Sequence, residues 1–310
     1  MFEPQLIQNI IQIAPKNEVW HTPITGLYVH CCDMPITQQA HIQEPSICLV
    51  LQKQRQICIS EQCYIFGDGQ FMFCPVNLPL TIEIPDATPT QPYLGISMKI
   101  DLALLGKVLA QLPKDIAQKS NSYSAFEQWQ LTQELSNAFS RLLELLTKPQ
   151  DIDFLAPLIQ QEIYYRLLQS SQGEKLKSLL EQGSHTHIVA QATLWIEQHL
   201  NQAFSVEKLA HQSGMSVSGF HSHFKKITGM SPLQYQKRLR LTTAQRLIKL
   251  GKDNIATIAY QVGYESPSQF SREYHRHFGH SPRGDLEGRG KAVNFLGNFA
   301  KIRCEISLCD

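Results

Sequence analysis

The stretch Ser205 to Pro282 states one pattern twice. Its first half reads Val206-x-x-Leu209-Ala210-x-x-x-Gly214-Met215-Ser216-x-Ser218-x-Phe220-x-x-x-Phe224, followed by Gly229-x-Ser231-Pro232. The second half answers with Ile255-x-x-Ile258-Ala259-x-x-x-Gly263-Tyr264, then Ser268-x-Phe270-x-x-x-Tyr274, then Gly279-x-Ser281-Pro282. Equivalent residues lie 49 apart before the turn and 50 apart after it, so the copies differ by one residue inserted in the turn. Each copy has the grammar of a helix-turn-helix: a short helix, a glycine where the chain reverses tightly, and a second helix.

The second helix of the first copy is expected over Val217 to Thr228, with Phe220, Phe224 and Ile227 inward and Val217, Ser218, His221, Ser222 and Lys225 on the opposite side. In the second copy Phe270, Tyr274 and Phe278 turn inward, leaving Ser268, Gln269, Arg272 and Arg276 more exposed. Between the copies, Ser231 as N-cap and Pro232 at the first helical position start a helix that Gly251 ends. About 19 residues of helix span roughly 28 Å. Successive major-groove faces on one side of B-DNA are about 34 Å apart, so such a rod lets two recognition helices enter adjacent grooves. Arg238 and Arg240 lie on this rod, within reach of phosphates.

The charge distribution agrees. From His185 to Arg283 there are twelve Lys or Arg against five Asp or Glu, a balance of +7, whereas the rest of the chain holds 16 basic and 22 acidic residues. A basic segment beside an acidic one points to a polyanionic partner for that segment alone. At 310 residues two domains are expected. The chain has no apolar run near 18 residues, and the first residues lack the basic and apolar regions of a signal peptide, so a cytoplasmic location with no membrane partner is expected. Eight cysteines without a Cys-x-x-Cys pair read as free thiols in a reducing compartment.

Residues 24–100 read as short strands broken by turns. Ile47 to Leu51, Gln56 to Ile59, Tyr64 to Phe66, Gln70 to Phe73, Leu80 to Ile84 and Tyr93 to Ile100 are rich in β-branched and aromatic residues, which argues for a small barrel or sandwich able to hold one ligand. His21, His30 and His41 are available to a metal, yet no His-x-His pair is followed by a carboxylate, and no cofactor is expected. Cys31, Cys32 and Cys58 are candidates for sensing a reactive electrophile, set against the plainer role of small buried apolar residues. After Asp101 the period turns helical: Phe126, Trp129, Leu135, Ala138, Phe139, Leu142, Leu143 and Leu146 form one apolar face, and Leu158, Ile159, Ile163, Leu167 and Leu168 another. This helical hairpin is expected to pack on the barrel. A polar break places the domain boundary near Gly183.

The residues Gly214-Met215-Ser216, Phe224-Lys225-Lys226, Thr228 to Tyr235, Arg240-Leu241, Ala244, Val262 to Tyr274 and Phe278-Gly279 resemble the AraC/XylS family of bacterial transcriptional regulators over residues 187–284. Glu44 to Cys48, Pro75 to Pro79, Gln91 to Tyr93 and Lys99 to Asp101 resemble the cupin-like N-terminal domain of one branch of that family. The resemblance implies an α+β chain: a cupin-like effector-sensing domain over 1–105, a helical hairpin and linker over 106–183, and an all-α DNA-binding domain over 184–286, with two helix-turn-helix units joined by a linker helix. Residues 287–310, and the glycine-containing run that begins after Pro282, read as an unstructured tail.

The resemblance further implies base reading by Ser218, His221 and Ser222 in the first unit and by Pro267, Ser268, Gln269 and Arg272 in the second. Pro267 brings no side-chain donor, whereas Arg272 can bond bidentately to guanine. Lys225, Lys226, Arg238, Arg240 and Arg276 are expected at phosphates, which fix register without carrying sequence. Promoter DNA, a small-molecule effector, RNA polymerase and a second copy of the chain are the expected partners, and activation the expected sign. The alternative is a metal-dependent cupin enzyme fused to a DNA-binding module.

Overall fold

The computed structural model describes residues 2–112, 128–251 and 253–287. Helix α1 (Pro4–Ile13) leads into nine strands, β1 (Glu18–His21), β2 (Leu27–Cys32), β3 (Ile36–Gln43), β4 (Ser46–Gln52), β5 (Arg55–Ile59), β6 (Gln62–Phe66), β7 (Gln70–Cys74), β8 (Leu78–Ile84) and β9 (Tyr93–Lys99). Helix α2 (Leu102–Gln111), the short β10 (Trp129–Gln130), and helices α3 (Gln133–Glu144), α4 (Pro149–Gln169) and α5 (Gly173–Lys177) complete the N-terminal half. The remaining helices are α6 (His185–Gln198), α7 (Val206–Gln212), α8 (Val217–Thr228), α9 (Pro232–Leu250), α10 (Ile255–Gln261), α11 (Pro267–Phe278) and α12 (Pro282–Glu287).

The strands form two antiparallel sheets, ordered β1-β2-β9-β4-β7-β10 and β3-β8-β5-β6. Side-chain alternation decides what each face meets. On β4, Cys48 and Val50 turn toward the second sheet, where they join Ile57, Ile59, Leu80 and Ile82 in one apolar interior. Ile47, Leu49 and Leu51 turn the other way and pack with Phe139, Leu142, Ile163 and Leu167 of α3 and α4. The helical hairpin therefore covers the sheet, as its apolar faces suggest.

Two local expectations are corrected. Trp129 lies on β10, opposite Phe71 with ring centroids 5.6 Å apart, and the helix begins only after Thr132, whose side chain accepts from Leu135 N at 3.3 Å. Sheet pairing at the β7 edge overrides the helical spacing there; Phe126 lies outside the described residues. The run after Pro282 is not wholly a tail. Residues to Glu287 form α12, and residues 288–310, with Cys304 and Cys309, lie outside the described residues.

The cysteines divide in the same physical way. Cys31 and Cys32, adjacent on β2, point to opposite faces, Cys31 into the helix-facing core and Cys32 into the sheet interior. Both are fully buried, and burial pushes both thiols up, away from the reactive thiolate. Cys58 departs from the free-thiol expectation: it faces Cys63 across the β5–β6 hairpin and is disulfide-bonded to it. Cys58 thus holds no thiol for an electrophile in this state.

The polar break at Gly183 does mark a change of structure, since Ser184 caps α6 immediately afterwards. It does not separate two cores. Val189, Ile196, Phe220, Phe224 and Tyr235 share one buried cluster with the sheet interior residues Val76, Leu78 and Leu80.

Candidate nucleic-acid interface

The repeat builds itself from caps. Ser205, Ser216, Asn254 and Ser266 each accept a hydrogen bond from the backbone three residues on, at 3.2, 3.2, 2.9 and 3.4 Å, and so start α7, α8, α10 and α11. Gly229 and Gly279 end α8 and α11 in the left-handed conformation. Ser231 then caps α9 with a complete capping box to Gln234. The Gly-x-Ser-Pro shared by both copies is thus a stop followed by a start.

Each unit closes on aromatic side chains. Phe220 and Phe224 are fully buried, and Phe224 meets Tyr235 of α9 edge-on with centroids 5.4 Å apart. Phe270 and Tyr274 are likewise buried, with Phe270 5.3 Å from Tyr264 and 5.4 Å from Tyr274. The turn glycines differ between copies. Gly214 and Gly263 both have positive φ, at 67° and 91°, but a Cβ at Gly214 would meet open space, whereas one at Gly263 would stand 2.7 Å from Asn201 Cα and from the Arg240 guanidinium. Only the second turn is pressed against its neighbours.

Burying those faces leaves the opposite faces outward. Ser218, Ser222, Lys225 and Lys226 of α8 are exposed and His221 is half-buried. Ser268, Gln269, Arg272 and Arg276 of α11 are exposed and Pro267 is half-buried at its first turn. The structure therefore collects each expected set of base readers on one helix face. Gln269 is partly engaged, donating to Glu273 at 3.4 Å, and Glu273 in turn pairs with Lys237 at 3.1 Å.

Arg238 and Arg240 have other uses, a correction to the phosphate contacts expected of them. Arg240 donates to the carbonyls of Leu200 at 2.8 Å and Gln202 at 3.1 Å, tying α9 to the end of α6. Arg238 donates to the Ser60 carbonyl of the β5–β6 turn at 3.2 Å and lies 3.2 Å from His277 Nε2 of α11. Burial, with the Arg238 charge beside it, pulls His277 down to about 4, so the ring stays neutral and can accept that bond. Both guanidinium groups satisfy internal acceptors because α9 is flanked on several sides and is not a bare rod.

Three further residues were not singled out by the sequence. Tyr235 donates to the Asn77 carbonyl at 2.6 Å, and Gln245 accepts from Ala40 N at 3.3 Å, so α9 is fastened to the second sheet near both of its ends. Asp285 of α12 accepts from Tyr274, from Gln245 at 3.1 Å and from His280 at 2.9 Å. An acidic residue in the first turn after Ser-Pro was the available signal for Asp285; for Tyr235 and Gln245, partners far away in sequence left none.

Comparison with known proteins then decides the family. The family model of the AraC-type transcriptional regulator N-terminus matches residues 23–175, and a helix-turn-helix domain model matches residues 209–287. The chain belongs to the AraC family of transcriptional regulators. It is similar to the HTH-type transcriptional activator RhaS of Escherichia fergusonii, 29% identical over 192 residues that make up 60% of this chain and 66% of that protein. RhaS of Salmonella schwarzengrund is 27% identical over 187 residues, with the same coverage. The matched stretch thus spans just under two thirds of the length of these activators. Among solved structures, unsaturated fatty acid-bound ToxT from Vibrio cholerae shares the fold at a TM-score of 0.55 and 12% identity, covering 84% of this chain and 95% of that one. The two RhaS proteins are transcriptional activators. Among the described residues no group of three or more His, Cys, Asp or Glu is placed to hold a metal ion, and no helix is long and apolar enough to cross a membrane.

Proposed function

We propose that this AraC-family regulator binds promoter DNA through α8 and α11 in adjacent major grooves and activates transcription in the cytoplasm under control of a small molecule bound in its N-terminal barrel. The observation that carries this reading is the pair of outward polar faces, Ser218/Ser222 with the half-buried His221 and Ser268/Gln269/Arg272, on two helices held by one continuous 19-residue α9. Lys225, Lys226 and Arg276 border those faces and are assigned to phosphates, where each adds to affinity and salt dependence without choosing a base. An activator of this build would act by contacting RNA polymerase from the adjacent site.

Arg272 is the strongest single reader. Fluorescence anisotropy of the full-length protein on a bound genomic site should show Arg272→Ala losing about 1–3 kcal/mol of discrimination at one base pair. Lys225→Ala should instead weaken all sequences alike and lower the salt slope by about 1. Affinity in the parent protein that ignores both sequence and salt would sink the reading.

A second copy of the chain is supported by the outer face of α4. Phe154, Leu155, Leu158 and Tyr165 stand exposed there on one helix, Phe154 at 75%, and a contiguous apolar patch of this kind is what a partner surface covers. Phe154→Glu with Leu158→Glu should convert a dimer to a monomer in sedimentation velocity. A parent protein that is monomeric at tens of micromolar removes the basis for this assignment.

A further inference from the structure

The interior between the two sheets contains a cation that the protein does not neutralise. On β5, alternation turns Arg55, Ile57 and Ile59 inward together, and Arg55 is only 4% exposed. Its Nε meets no hydrogen-bond acceptor. The groups close enough to feel its charge most are the Tyr93 hydroxyl and the Cys48 thiol, and among the described residues no carboxylate pairs with it. The Tyr93 hydroxyl, fully buried, lies against the Arg55 guanidinium and meets no other partner. A guanidinium cannot shed its proton, so this charge persists at any pH the cell meets. Burying a charge without a counter-ion is costly, and nothing in the apolar packing around Arg55 requires it.

A cleft approaches this interior from the surface, although neither Arg55 nor Tyr93 lines it. A cleft of about 360 Å³, counted to its open side, runs between β2, β3 and β9, lined by His30, His41, Gln43, Ser46 and Ser97, and its enclosed part has room for about one water. The Lys99–Glu44 ion pair, 3.0 Å long and partly exposed, stands at its rim. Desolvation, reinforced by the Arg55 charge, draws the half-buried His41 down to about 4, so His41 adds no second positive charge beside Arg55.

We propose that the barrel takes a small monocarboxylate as effector, with Arg55 as its counter-ion and the Tyr93 hydroxyl as a donor to it. A planar guanidinium matches a carboxylate fork to fork. One guanidinium neutralises one negative charge, so a dianionic phosphate would leave charge uncompensated in the same interior. The hydrocarbon body of the ligand would lie among Val50, Ile57, Met72 and Leu80, which form the rest of that core. The cleft as it stands is narrow, so entry requires the rim pair to part. This assignment rests on the reading of the barrel as the effector domain.

Thermal melting and calorimetric titration of the full-length protein test it, using aliphatic monocarboxylates from acetate to decanoate, benzoate and salicylate, their neutral amides, and inorganic phosphate. At least one carboxylate should give a saturable rise in melting temperature that its amide does not. Arg55→Met should weaken that binding at least about tenfold, and Arg55→Lys should restore part of it. Without ligand, Arg55→Met should melt at or above the parent temperature, because an apolar side chain of similar length replaces an unpaired buried charge. Amides that bind as well as acids, acid binding indifferent to Arg55→Met, or no saturable response to any acid would overturn the proposal. So would Arg55→Met melting well below the parent, which would make Arg55 a structural residue. Promoter binding measured on the same samples separates the two readings: its absence counts against the regulator, its presence with no acid response against the carboxylate site alone.

Discussion

Phe270→Ala is expected to cost about 3–5 kcal/mol of stability and to abolish promoter binding. Phe270 is fully buried between Tyr264 of the turn and Tyr274 one helical turn on, so its removal leaves a cavity that rigid rings cannot close. That cost is a large share of the 5–15 kcal/mol or so that holds a typical domain together. Urea denaturation followed by circular dichroism measures it, and Phe270→Leu should lose markedly less. A loss below about 1 kcal/mol for Phe270→Ala would mean that α11 is not held by this core.

The second large effect lies at Asp285. Its carboxylate joins α12 to α11 through Tyr274 and to α9 through Gln245, with His280 as a third donor, and its side chain is only 15% exposed. Asp285→Asn should cost about 2–3 kcal/mol, since hydrogen bonds to a charged group are the stronger kind and an amide must turn one donor toward donors. The effect depends on pH in a stated direction. Burial alone would raise the carboxyl, but the hydrogen bonds from Tyr274, His280 and Gln245, with the Lys249 charge, hold it below its ordinary value of 3.8. A carboxyl lowered on folding stabilises fully above the unfolded value, and that contribution fades as pH falls through the lowered folded value. The parent and Asp285→Asn should therefore differ most at neutral pH and converge in acid. Equal melting temperatures at pH 7 would refute the role.

The DNA-binding half was legible almost to the residue. Helices α8 and α9 run over the expected spans because Ser216, Ser231 and the glycines at 229 and 251 act locally, each within one turn of the boundary it sets. The core strands were legible wherever both faces are apolar, as on β4, and less so where one face is polar. Strand β3, Ile36-Thr37-Gln38-Gln39-Ala40-His41-Ile42-Gln43, carries a register shift around Gln38, whose φ is +45°, and so breaks the alternation that would mark it. Arg55 was nearer to hand. It stands two residues before Ile57 in a strand that alternates, and period two alone places it inside. What no local pattern could show is contact between distant segments, such as Arg238 on the Ser60 carbonyl. The two arginines of α9 read as an outward pair only while the rest of the chain was absent.

The seat of α9 on the second sheet has one more consequence. The helix that sets the spacing of α8 and α11 is also a wall of the domain to which we assign the effector, bonded to it at Asn77, Ser60 and Ala40. If effector and promoter both bias the position of this helix, their binding is thermodynamically linked, and linkage has no preferred direction. By whatever factor the effector changes affinity for the promoter, the promoter must change affinity for the effector. A molecule bound at its operator would then sense the cell at a concentration different from that of one free in solution, so the operator sequence itself would help to set the threshold of the signal.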